Sequence, residues 1–272
     1  MKTKIGIIIS IITLIIMAYI GKEGYIGAKS YEQTISTISQ HRDVSGVTEY
    51  KLSELANILT LGIVKNHKKE LVDKLTIQKM DQKNHNDNLA IYFGLTAFVI
   101  LLTYLLLSIR GFTIVVSLAS IVALINGLIT PIMLVLLHKD VEYLGDVVLS
   151  FESKSIIGSI EKLYTQGNLV LAGAILLFSI LIPTVKSISL LIVSSFEYSP
   201  FASKMVRFFK HLGKWSMMDV FIVSLLLVYM TTGDSDISRA EIEIGLYMFL
   251  VYVILSIVAS ISADRMLRDT QP

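Results

Sequence analysis

The sequence predicts an all-α polytopic membrane protein with six transmembrane helices and an extracytoplasmic helical region between the first and second. Three observations predict it. Of 272 residues, 53% are hydrophobic and the mean hydropathy is +0.67. The apolar residues fall in long uninterrupted blocks rather than alternating or heptad patterns. Lys and Arg are distributed unevenly between the short connections, as they are in membrane proteins with a fixed orientation.

The first span runs from about Ile5 to Ile20 behind Met1-Lys-Thr-Lys4 and is the shortest. It has the look of a signal-peptide core, but Tyr19-Ile-Gly-Lys22 is a poor cleavage site, so residues 1–21 are expected to stay as an anchor. In residues 22–88, Leu52, Leu55, Leu59 and Ile63, then Leu71 and Leu75, recur at helical spacing. Ser45-Gly46 and Asn84-His-Asn-Asp-Asn88 are expected to break that pattern into packed helices, too small and polar to bury a large core alone. This region reads as a spacer, a docking surface or a ligand-sensing domain. The second span, about Leu89 to Ile109, completes residues 89–111. Residues 112–272 then hold four more spans: Phe112 to Leu137, Asn168 to Ser195, Ser216 to Thr232 and Ile244 to Ser262. Each approaches or exceeds the roughly 20 residues needed to cross about 30 Å of hydrocarbon.

Orientation follows from the connections. The segment Phe196 to Lys214 carries Lys204, Arg207, Lys210 and Lys214 against Glu197, whereas Gly233 to Glu243 carries Asp234, Asp236, Glu241 and Glu243 against Arg239. The basic connection belongs in the cytoplasm. Counting from it puts Lys2, Lys4, Arg110, Arg265 and Arg268 on the same side, with both termini cytoplasmic.

In the outer loop from His138 to Gly167, the residues Ile156, Ile157, Ile160, Leu163 and Tyr164 share a helical face opposite Ser159, Glu161 and Lys162. This is an amphipathic helix suited to the outer interface, or equally to packing on the bundle. Trp215 is the corresponding interfacial residue at the start of the fifth span.

Lys186 and Asp219 place charge where lipid should be, at a cost of about 2.5 to 3.5 kcal/mol each on insertion scales. Lys186 is roughly 12 Å and Asp219 roughly 6 Å from the cytoplasmic ends of antiparallel helices, so a Lys stem can bridge most of the difference. Two readings stay open. Lys186 snorkels to the headgroups while Asp219 supports a helix start capped by Ser216, or the two belong to an intramembrane polar network. Ser179 lies two turns from Lys186, and Ser256 and Ser260 can contribute from the last helix. Pro131, after Asn126 and Thr130, and Pro183 are expected to kink their helices.

Several classes fall away. There is no basic run with interleaved aromatics for nucleic acid, no P-loop or Rossmann glycine pattern, and no metal-ligand spacing among His41, His67, His85, His138 and His211. The chain has no cysteine, so it has neither disulfide nor thiolate-bound zinc. No cofactor and no enzymatic chemistry are expected.

Thr130-Pro131, Leu163…Gly167…Ala172, Ser179-Ile-Leu-Ile-Pro183-Thr-Val-Lys186, Gly213-Lys-Trp-Ser-Met-Met-Asp-Val-Phe221 and the final helix together resemble the paraquat-inducible protein A family, which includes PqiA and LetA. The resemblance covers about Phe112 to Arg268. It implies a four-helix module in the bacterial inner membrane, working with an MCE-domain partner to move phospholipid between membranes. By resemblance, Ser179, Lys186, Ser216 and Asp219 form its intramembrane network, and bound lipid is the expected ligand. The chain departs from better-known members in having one module, no cysteine-paired zinc ribbon, and two extra helices at its N-terminus. A membrane receptor with an extracytoplasmic domain and a proton- or ion-coupled translocator are the competing readings.

Overall fold

The computed structural model describes residues 2–41, 67–141, 145–195 and 238–269. The predicted span from Ser216 to Thr232, with Trp215, Ser216 and Asp219, lies outside the described residues. So do the basic connection from Phe196 to Lys214 and the helical pattern from Leu52 to Ile63. Five helices among the described residues are long and apolar enough to cross a membrane, and the chain is a multi-pass membrane protein.

The first two helices are longer than their apolar blocks. α1 (Lys2–His41) and α2 (His67–Leu102) are single helices of 40 and 36 residues, roughly 60 and 54 Å long, against a hydrocarbon core of about 30 Å. They pack against each other as an antiparallel hairpin. The expected break at Asn84 to Asn88 is absent, and α2 runs straight through it. The reason is tertiary. Asn86 is buried against Gly27 of α1, where any Cβ would collide with its side chain, and Gln82 donates to Ser30 Oγ at 2.8 Å. Helix propensity disfavours each Asn by only about 0.7 kcal/mol, which packing readily overrides.

A 3₁₀ turn (Thr103–Leu105) leads to α3 (Ile109–Ile129), whose start is capped by Ser108 accepting from the Gly111 N–H. The predicted third span continued to Leu137, but the helix stops at Ile129. Pro131 is the cause. It biases the preceding residue away from helical backbone, and Thr130 is extended at ψ 141°. Pro131 therefore ends a helix rather than kinking one.

The described residues are mostly helical, in keeping with an all-α membrane protein, and beyond Pro131 they add a small sheet. β1 (Met133–Val141) pairs antiparallel with β2 (Gly145–Lys154) and with β3 (Ser238–Ile242), giving a three-stranded sheet in the order β2-β1-β3. The register shifts between Leu137 and His138 of β1, whose partners Ser150 and Val148 leave Leu149 of β2 as the extra residue. After β2 come α4 (Ile156–Thr165), α5 (Leu169–Ile175), a π-helical stretch (Leu176–Leu181), α6 (Ile182–Ser195) and, after β3, α7 (Ile244–Asp269).

α3 and α7 form the centre of the bundle. Thr113 Oγ1 and Ser262 Oγ lie 2.6 Å apart, and near the other end a Cβ on Gly127 would come within 2.8 Å of the Phe249 backbone. Inside a bilayer such close van der Waals packing, rather than water expulsion, holds helices together. α1 reaches this core through Gly21, set against Asn126, and Gly24, set against Met248 and Ile244. Beyond Gly24, α1 continues for about 25 Å past the end of the bundle, alongside the sheet.

The sheet is tied to the helix ends by backbone. Ile132 donates to Lys154 O and accepts from the Glu243 N–H, and Gly245 donates to Pro131 O at 3.0 Å. A side chain on Gly245 would strike the Thr130 and Pro131 carbonyls.

Candidate functional site

Lys186 is buried on α6, 8% exposed, with Ser187 fully buried beside it. Levels along the bundle follow from two cross-links. Arg110 at the start of α3 donates through Nε to Ser194 O at 3.0 Å and through Nη2 to Ser195 O at 2.7 Å, tying it to the last carbonyls of α6. The helices run in opposite directions, so about 10 Å from this tie Ser117 stands level with Ser187. The Thr113–Ser262 contact fixes α7 in the same way and puts Ser256 within roughly 3 Å of that level.

Ser117, Ser187 and Ser256 are fully buried, and their hydroxyls lack a hydrogen-bond partner in the described structure. This distinguishes them from neighbouring serines. Ser194 donates to Leu190 O, Ser260 to Ser256 O and Ser120 to Ser117 O, so those hydroxyls are satisfied by backbone. A buried hydroxyl left unbonded costs about 1 to 3 kcal/mol. Three near one level, with buried Lys186 next in sequence to Ser187, form a layer of donors and acceptors able to take up water, a proton or a polar headgroup atom.

Ser179 is buried in the π-helical stretch, about 10 Å along the helix from Lys186. The Ile182 N–H bonds five residues back to Leu177 O. Pro183 follows immediately. It has no N–H for the carbonyl four residues before it, and a widened turn relieves the ring's clash there. The distortion expected at Pro183 thus takes the form of a π bulge. Ser260, partly buried, is not among the unbonded hydroxyls. Asp219, Ser216 and Trp215 fall outside the described residues.

The amphipathic segment forms α4, with Ser155 as its N-cap accepting from the Gly158 N–H at 3.0 Å. Ile156 is buried, Ile160 packs on the core and Leu163 is half-buried, whereas Ile157 and Tyr164 are exposed. Gly167, at φ 81°, ends the turn after it, a conformation that only glycine adopts freely.

A second cluster, without a counterpart among the residues singled out from sequence, sits at the sheet end. Glu241 of β3 accepts from the Tyr31 hydroxyl at 2.6 Å and pairs with Lys79 at 3.2 Å and Lys83 at 3.3 Å. Burial pushes its carboxyl up, but Tyr31 and the two lysines outweigh burial and hold it below the usual range. Glu243, just beyond the strand and 6% exposed, is pushed up to about 8, first by burial and then by the charge of Glu241. The signal available in sequence was two glutamates two residues apart, which strand alternation directs to one side. Among the described residues no three His, Asp or Glu side chains are grouped to hold a metal ion.

The sequence profile of one family, paraquat-inducible protein A, matches residues 111–268, more than half of the chain. The match runs from the first turn of α3 to the last turn of α7, takes in the three described strands, and excludes α1 and α2. No curated protein and no solved structure matches the chain. On the matched region, this chain belongs to the paraquat-inducible protein A family.

Proposed function

We propose that the protein is a non-enzymatic, cofactor-free integral subunit of a phospholipid transport system, embedded in a bacterial inner membrane with both termini cytoplasmic and working beneath an MCE-domain partner. Family membership supports the membrane setting. The observation that carries the reading further is the level of seryl hydroxyls near Lys186, fully buried and without a hydrogen-bond partner in the described structure. In this reading Lys186, with Ser117, Ser187 and Ser256, couples proton or headgroup movement to lipid passage, and Asp219, Ser216 and Ser179 extend the same network. Lipid is the bound ligand. α4, with Ile157 and Tyr164 exposed beside packed Ile156 and Ile160, and the projecting hairpin of α1 and α2 form the face presented to the partner.

Transport of labelled phospholipid by the purified complex tests it. Lys186→Ala and Asp219→Ala are expected to abolish transport while the protein inserts and assembles normally. Wild-type transport by both variants would remove the network from the mechanism. A proton- or ion-coupled translocator uses the same buried layer, and flux into liposomes without any partner is its signature.

A further inference from the structure

α1 and α2 lie outside the family match yet pack on it along the bundle and again at the sheet end. Within the bundle, Gly21 and Gly24 interlock with Asn126, Met248 and Ile244. At the sheet end, residues from α1, α2 and β3 meet at a single carboxylate. Tyr31 comes from α1, Lys79 and Lys83 from α2, and Glu241 belongs to the matched region. Lys79 also lies over the Tyr31 ring at 5.9 Å, and Tyr31 and Ile35 pack on Leu134 of β1.

We propose that Glu241 is a releasable latch clamping the N-terminal hairpin onto the family module, and that the neighbouring Glu243 controls its release by gaining or losing a proton. The geometry supplies both halves. The clamp is ionic and only partly buried, with the Lys83 side chain 44% exposed, so it can open without dismantling the bundle contacts at Gly21 and Gly24. Glu243 is more deeply placed, and its backbone N–H donates to Ile132 O, which anchors the strand end that carries it.

The charged groups acting on Glu243 are Glu241 from β3 and Lys83, Asp87 and Lys79 from α2, and Tyr31 of α1 is hydrogen-bonded to Glu241. Burial and the two acidic neighbours favour its neutral form, and the lysines oppose it. While Glu243 is neutral, both lysines serve Glu241. Once ionised, it repels Glu241 and Asp87 and holds a charge in a buried place, which water relieves as the hairpin swings away. These effects loosen the clamp as pH rises through about 8, while the pull of Lys79 and Lys83 opposes release.

The chain contains no cysteine, so spin labels can be placed at will. Cysteines are introduced at Gln33 on α1 and Glu161 on α4, both exposed, and the inter-label distance is measured by pulsed electron resonance on the full chain in nanodiscs. The expected result is one narrow distance at pH 6 that broadens or shifts at pH 9.5. Glu243→Gln should stay narrow at both, and Glu241→Gln should be broad at both. Lys79→Gln with Lys83→Gln should reproduce the Glu241→Gln distribution, which guards against a single misfolded variant. An unchanged narrow distance in the wild type at both pH values and in Glu241→Gln overturns the latch. A pH response that persists in Glu243→Gln overturns its control by that residue.

Discussion

The Tyr31 hydroxyl donates to Glu241 Oε2 at 2.6 Å, joining residues 210 positions apart in the chain. Tyr31 is also fully buried, so its ring packs while its hydroxyl serves the carboxylate. Tyr31→Phe keeps the packing and removes a hydrogen bond to a charged acceptor. It is expected to lower stability by about 1.5 to 3 kcal/mol, read as a drop in the thermal midpoint in mild detergent. An unchanged midpoint would mean that water replaces the hydroxyl.

The two glutamates impose opposite pH dependences. The Glu243 pKa is raised from 4.5 to about 8 on folding, so its contribution is fully present below 4.5 and is lost as pH rises through about 8. The Glu241 pKa is lowered, so its contribution is present above 4.5 and is lost as pH falls below its folded value. Glu243→Gln should therefore flatten the decline on the alkaline side and stabilise the protein at pH 9 by a few kcal/mol on the order-of-magnitude scale of such shifts. Thermal midpoints collected from pH 2.5 to pH 9.5 check both limbs.

Gly245→Val is expected to be among the most damaging single substitutions. Its side chain would meet the backbone carbonyls of Thr130 and Pro131, which cannot rotate away as a side chain can. Overpacking of this kind costs roughly 1 to 3 kcal/mol, occasionally more. Gly94→Ala, inside α2 with nothing within 4 Å, should leave the melting temperature unchanged or slightly raised and serves as the control.

Ser117→Ala and Ser187→Ala separate function from stability. Removing a buried hydroxyl that has no partner relieves a desolvation cost, so both variants should be as stable as wild type or slightly more so. Transport should nevertheless fall at least tenfold. Ser194→Ala removes a hydroxyl bonded to its own helix and should leave transport intact. Equal transport by all three variants would reduce the layer to packing.

The apolar blocks were legible because bilayer thickness leaves a spanning helix few alternatives, and the predicted span from Asn168 to Ser195 lies within a residue of the observed limits, Leu169–Ser195. The sheet was not legible. Met133 to Leu137 continues the apolar run of α3, and an apolar stretch alone does not distinguish helix from buried strand. Two signals were present: Pro131 as a stop, and Leu149-Ser-Phe151-Glu-Ser alternating at the period of a strand. The break expected at Asn84 to Asn88 fails because local propensity is weak beside the fit of Asn86 against Gly27.

At the candidate site, Lys186 stands out in sequence because a charge inside an apolar block is rare. Ser117 and Ser187 do not, since a serine in a membrane helix usually bonds its own backbone. Only the Arg110 tie to Ser194 and Ser195 shows that they share a level. Glu241 reads in sequence as one of several acids in an outer loop; its partners lie about 160 and 210 residues away, beyond any local pattern.

The central claim is that this family member handles lipid together with an MCE-domain partner. Native mass spectrometry of the full-length protein, extracted gently from bacterial membranes, tests it most directly. Phospholipid and an MCE-domain protein are expected to be retained with the chain. Recovery of a cytoplasmic signalling protein, with neither phospholipid nor an MCE-domain protein, would contradict it.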